Sequence, residues 1–181
     1  PVPIAVVAAP ISFDGYAHTI ATKRTMTTLT AEPITSPHFL AYGQAITPVA
    51  DRSPYGEDDA QLYFDQGPIR FYIEIMEHPG ELLKVMARHT HCSQCLASAD
   101  AEPWWIAVAA PHLDSDQIDL STIRLFRVEP RQAVKLSPGT WHAGPYFNSS
   151  TAMFYNLELS NTNEADHTTR RLEQTIHLQL N

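Results

Sequence analysis

Ile69–Met76 alternates without a break: Ile69, Phe71, Ile73 and Ile75 fall on one side, and Arg70, Tyr72, Glu74 and Met76 on the other. A strict period of two predicts a β-strand with one face against protein and one against water. Alternation fixes the two faces but not which of them is inside. Glu81–His91 follows the same period and places Leu83, Val85, Ala87, His89 and His91 together. Trp104–Ala110, Thr122–Val128 and Ala152–Leu159 are further β-rich runs. Helical signals are scarce. Ser36–Tyr42 predicts one or two helical turns with Gly43 placed to cap them. Asn163 is placed to cap a short helix over Glu164–Gln174, against which the β-branched Thr168, Thr169 and Thr175 weigh. Fourteen prolines separate these runs. Many short strands joined by Pro and Gly turns predict an all-β chain, an antiparallel sandwich or small barrel with a few short helices.

The first segment is different in kind. Pro1–Ile11 is apolar, but no basic residue precedes it, and Pro1, Pro3 and Pro10 oppose a helix. Ile4–Ala9 reads as an extended segment able to add to a sheet edge. A more ordinary beginning follows at Met26, so residues 1–25 are read as an extension, lineage-specific or from an upstream start, and 26–181 as one domain. A hydrophobic content of 44% in 181 residues suffices for one core. No apolar run reaches the roughly 18–20 residues of a membrane span. The net charge of −8, with no cluster of bases, argues against a nucleic-acid surface. Two cysteines make no disulfide framework and suit a reducing, cytoplasmic setting.

The chemistry rests on histidines. His89-Thr-His91 sends two imidazoles to one side of a regular strand, as a metal centre or an acid/base site would require. Gln94 follows, and must turn or bulge to join them. Further on, Ser137-Pro138-Gly139-Thr140-Trp141-His142 sets a Pro-Gly turn before a third imidazole, with Asn148 beyond it. The pair of elements resembles the two motifs of cupins, whose barrels hold a divalent metal with three histidines and a carboxylate. That resemblance implies one divalent ion on His89, His91, Gln94 and His142, with the amide of Gln94 standing where metal-binding cupins carry Glu.

More of the chain resembles the ureidoglycolate lyase (ureidoglycolate hydrolase) family. The likeness runs through Leu29-Thr-Ala-Glu, Phe39-Leu-Ala-Tyr-Gly43-Gln-Ala-Ile46, Arg88-His89 with Gln94, and Val108-Ala109. It continues through Asp119-Leu-Ser-Thr-Ile-Arg-Leu-Phe126 and Val134 to Gly139-Thr-Trp-His142, covering roughly residues 28–160. Thr90, Leu96 and Ala101 stand where the family usually has Pro, Phe and Gly. The resemblance implies a cupin-type antiparallel β-barrel, a homodimer, and cleavage of ureidoglycolate to glyoxylate and urea in purine and allantoin breakdown. Two other classes stay open: a metal-dependent cupin oxygenase or isomerase, and a non-catalytic cupin that binds a small acid or sugar.

Ureidoglycolate is a carbinolamide. Its cleavage needs a base for the hydroxyl proton, an acid for the departing nitrogen and a clamp for the carboxylate. His89, His91 and His142 are of the type that titrates near neutrality. Arg70 is the expected clamp, because its fork matches a carboxylate, with Tyr72 as donor and Glu74 as base on the same strand face. His112 and His167 are expected to lie apart from the site. Arg88 should point away from His89 and serve an ion pair. Cys92 and Cys95 lack a second pair for a zinc site and read as buried small residues. Of Trp104 and Trp105 only one should face the interior. Asp114, Asp116 and Asp119 lack the glycine and glutamate of a calcium loop and read as a solvated turn.

Overall fold

A computed structural model describes residues 27–65, 67–111 and 115–181. The strand predicted at Ile4–Ala9, the extension 1–25, His112 and Asp114 lie outside the described residues. The strands are β1 (Thr27–Pro33), β2 (Gly43–Ile46), β3 (Ile69–Glu77), β4 (Leu82–Arg88), β5 (Gln94–Ser98), β6 (Trp104–Ala109), β7 (Arg124–Val128), β8 (Ala133–Leu136), β9 (Trp141–Tyr146), β10 (Thr151–Leu159) and β11 (Thr168–Gln179). The single α-helix among the described residues, α1, is Thr162–Ala165. The chain is all-β, as expected of a cupin-type protein. Six strands close a barrel in the order β1-β11-β4-β9-β6-β7, and five form a second sheet in the order β2-β8-β5-β10-β3.

Two apolar clusters hold these layers. One contains Phe39, Leu96, Trp104, Ile106, Val108, Phe126 and Phe154, drawn from both sheets. The other contains Leu83, Met86, Trp105, Ala107, Leu125, Trp141 and Leu178, drawn from the barrel strands. β6 lies between the clusters, so alternate residues enter each and all six are buried. Trp104 and Trp105 are therefore both interior, on opposite faces, contrary to the expectation that one would be outside. A strand covered on both faces reads as a continuous apolar run.

Two helix expectations change. Ser36 caps a 3-10 turn over Pro37–Ala41, but Tyr42 closes it and Gly43 already begins β2. The C-terminal helix reduces to the single turn of α1, and residues 168–179 form the longest strand. The threonines that weaken a helix there suit a strand, where β-branched side chains pack without loss of rotamer freedom. β11 closes the barrel between β1 and β4.

Candidate active site

β4 and β9 pair with Ala87 opposite His142, so His89, two residues on, is the diagonal neighbour of His142. The backbone N–H of Gly139 in the Pro-Gly turn donates to the His89 carbonyl at 2.6 Å, tying the two histidine elements together. The imidazole rings of His89 and His142 lie 5.1 Å apart between centroids. β4 ends at Arg88, and the chain crosses in residues 89–93 to the second sheet, where Gln94 opens β5. Gln94 thus reaches the histidines from the facing sheet. A cavity of about 400 Å3 separates the walls, lined among others by Tyr72, Glu74, His89, Gln94, His142, Asn156, Glu158, Asn163 and His167.

The wall formed by β3, β5 and β10 is a directed hydrogen-bond chain. Asn156 Nδ2 donates to the Tyr72 hydroxyl at 3.1 Å, and that hydroxyl donates to Glu158 Oε1 at 3.0 Å. Gln94 Nε2 donates to Glu158 Oε2 at 3.1 Å. A carboxylate can only accept, so Glu158 fixes the Gln94 amide with its NH2 inward to the network. Gln94 Oε1 is left buried with no hydrogen-bond partner. Burial, then the charge of Glu158, pushes the Tyr72 hydroxyl up to about 12. The same two causes, in the same order, raise Glu74 above the usual carboxylate range.

The opposite wall presents imidazoles. His89 Nδ1 lies 2.5 Å from the Asp166 carbonyl, and His142 Nδ1 lies 3.2 Å from the Thr140 carbonyl. Carbonyl oxygens only accept, so each neutral ring carries its proton on Nδ1 and keeps Nε2 as its basic atom. Burial lowers the pKa of His89 despite the Asp166 carbonyl. Burial, with the adjacent His89, brings His142 down to about 3. Asp166 holds the crossing segment in place: its carboxylate accepts from the Thr90 N–H at 2.8 Å and the His91 N–H at 2.7 Å.

The structure brings together His89, His142, Gln94, Tyr72 and Glu74 of the sequence-predicted residues. Three expectations fail. His91 points outward and meets Asp65 at 3.1 Å, because the strand has ended and its alternation no longer applies. Arg70 is exposed, with its guanidinium 3.5 Å over the Tyr72 ring, and is not among the cavity-lining residues. It lies opposite Glu158 near the start of an edge strand, and its side chain folds over Tyr72. His167, expected apart, lines the cavity with its ring 5.4 Å from that of His89. Asn148 is exposed beyond β9. Arg88 points away from the cavity, stacks on Trp141 and pairs with Asp116, which also holds Arg170 at 2.7 Å. Cys92 and Cys95 are both free, one buried and one partly so.

Residues missed in the sequence are Glu158, Asn156 and His167. A signal existed for two of them: in β10, Ala152, Phe154, Asn156 and Glu158 share one face and all are buried. Polar side chains on the apolar side of an alternating strand mark a site rather than a core.

The expected metal quartet of His89, His91, Gln94 and His142 does not assemble. His91 faces out, which leaves two imidazoles and the neutral amide oxygen of Gln94. Among the described residues no group of three His, Cys, Asp or Glu is placed to hold a metal ion. The donors present therefore do not fit the ion that the cupin motifs imply.

Residues 26–179 match the family model for ureidoglycolate lyase. The chain belongs to the ureidoglycolate lyase family. No curated protein matches it. Among solved structures it is similar to a dTDP sugar isomerase from Desulfovibrio desulfuricans G20, at 15% identity and a TM-score of 0.40, over 74% of this chain and 83% of that one. No helix among the described residues is long and apolar enough to cross a membrane.

Proposed function

We propose that this member of the ureidoglycolate lyase family cleaves ureidoglycolate to glyoxylate and urea, serving the recovery of nitrogen from purine-derived ureides in the cytoplasm. Family membership over residues 26–179 carries this reading. The cavity supports it through two unsatisfied acceptors. Gln94 Oε1 is a buried acceptor suited to the N–H groups of a ureido substituent. The Nε2 atom of His89 is a base that burial keeps unprotonated.

In the reaction His89 Nε2 takes the hydroxyl proton, and the oxygen's electron pair forms the aldehyde C=O. The C–N bond breaks with its electrons passing to the ureido nitrogen. Glu74, whose raised pKa favours the protonated form, gives that nitrogen its proton. The sequence made Glu74 a base; the upward shift from burial and Glu158 supports the role of acid instead. The imidazolium and the Glu74 carboxylate then exchange a proton through water once the products leave. His142, held neutral with its proton on Nδ1, offers Nε2 as an acceptor for the N–H on the carbinol carbon.

The test is glyoxylate release from ureidoglycolate. His89→Ala and His142→Ala should each lose roughly 10²–10⁴-fold in rate, the usual worth of a positioned acid or base. Thermal melts should show both variants folded. Near-parental rates in both, or no cleavage by the parent, overturn the assignment.

A further inference from the structure

We propose that the cavity reads the two ends of its substrate with opposite walls, and that His167 receives the carboxylate. This rests on the ureido-acid reading above and names the clamp it lacks. An anionic substrate needs a cation or a strong donor, yet no Lys or Arg is among the cavity-lining residues. The wall of β3, β5 and β10 turns Glu74, Glu158 and the orphan Gln94 oxygen to the cavity. Its one cation, Arg70, is exposed over the Tyr72 ring and not among the lining residues. The Glu158 carboxylate and an unpaired carbonyl repel an anion and attract N–H groups. The ureido end therefore belongs on that wall.

The carboxylate and the hydroxyl are borne by adjacent carbons, so a hydroxyl placed on His89 leaves the carboxylate beside the same ring. Two imidazoles flank His89: His142 at 5.1 Å and His167 at 5.4 Å between centroids. His142 is buried, its Nδ1 tied to the Thr140 carbonyl, and its remaining nitrogen is a lone pair facing any anion. His167 is exposed at the cavity rim, its Nδ1 3.4 Å from Asn163 Oδ1, which leaves Nε2 for a ligand. Of the three rings only this one stands open to solvent, where pairing with an anion does not bury an isolated charge. His167 follows α1 directly, so its position depends on the turn that Asp166 pins to Thr90 and His91.

The experiment measures binding of hydantoate (N-carbamoylglycine), which keeps the ureido and carboxylate groups and lacks the hydroxyl, so it is not cleaved. Calorimetric titration compares the parent with His167→Ala and His167→Lys, and repeats each with the uncharged amide of the same molecule. His167→Ala should weaken hydantoate binding roughly 10- to 100-fold, the usual worth of a charged hydrogen bond. His167→Lys should restore most of it, and the amide should bind parent and His167→Ala alike. With ureidoglycolate, KM should rise in His167→Ala by more than kcat falls. Equal hydantoate affinity in parent and His167→Ala overturns the clamp, as does equal weakening of acid and amide. Ureidoglycolate turnover with no such dependence overturns the clamp alone. His167-dependent hydantoate binding without turnover upholds the clamp and overturns the reaction. No hydantoate binding and no turnover overturn both.

Discussion

Enclosed between β4 and β6, the His142 imidazole cannot hold a proton that it would carry in the unfolded chain. Its folded pKa is about 3, against an unfolded value of about 6.5. Between those values the unfolded state binds the extra proton, so stability falls as pH falls from 6.5 toward 3. At about 1.4 kcal/mol per unit, the loss from pH 6.5 to pH 5 is about 2 kcal/mol. Urea unfolding of the parent should become easier over this range by about that amount more than unfolding of His142→Asn. Parallel pH profiles for the two proteins would place the acid sensitivity elsewhere. The sequence made His142 visible through the Pro-Gly turn before it, and His89 through the His-x-His spacing and the Arg88-His89 pair. His91 misled because alternation was carried past the last strand residue, Arg88. Arg70 misled because facing the right side does not bring a side chain as far as the cavity.

At the scale of elements, strands with one wet face were the legible ones. β3 follows its period, whereas in β4 burial passes from Leu83 to Met86 and Arg88 and leaves Val85 exposed, and β6 hid its two-sided burial in an unbroken apolar run. The C-terminal strand was misread because its partners, β1 and β4, lie far away in sequence, and no local pattern reports a barrel seam. Gly43 was legible as a required glycine, but for another reason than the one inferred. A Cβ there would meet the Lys135 carbonyl oxygen at 1.9 Å, within the β2–β8 pairing. Backbone cannot rotate away as a side chain can, so Gly43→Ala must push the strands apart, at roughly 1–3 kcal/mol or more. Gly56→Ala is the control, since nothing lies within 4 Å of its Cβ. Thermal melts should show a clear drop for Gly43→Ala and little change for Gly56→Ala. Equal melting temperatures would mean that β2 shifts at no cost.

At the scale of the whole molecule, the polar side of β3 faces the cavity and the apolar side faces out. Ile69, Phe71, Ile73 and Ile75 are all exposed, Ile75 to 75%, and Phe71 stacks on Tyr155 of β10 with ring centroids 5.9 Å apart. Met153 and Tyr155 extend this surface across the neighbouring strand. Among the described residues β3 is also the end of its sheet, and one side of its backbone has no strand partner there. An apolar edge strand left open invites pairing with another chain. A second copy of this chain is the occupant that fits: two β3 strands meeting antiparallel about a twofold axis would join both the hydrogen-bond edges and the apolar rows. We propose this surface for the homodimer that the family resemblance implies. Light scattering at micromolar concentration should give twice the chain mass for the parent and the single mass for Ile73→Glu, which sets like charges against each other across the axis. Because Tyr72 and Glu74 occupy the other face of the same strand, the charged variant should also release glyoxylate more slowly. A parent that is monomeric at that concentration would leave the apolar row without this partner. A dimer indifferent to Ile73→Glu would move the interface to another face.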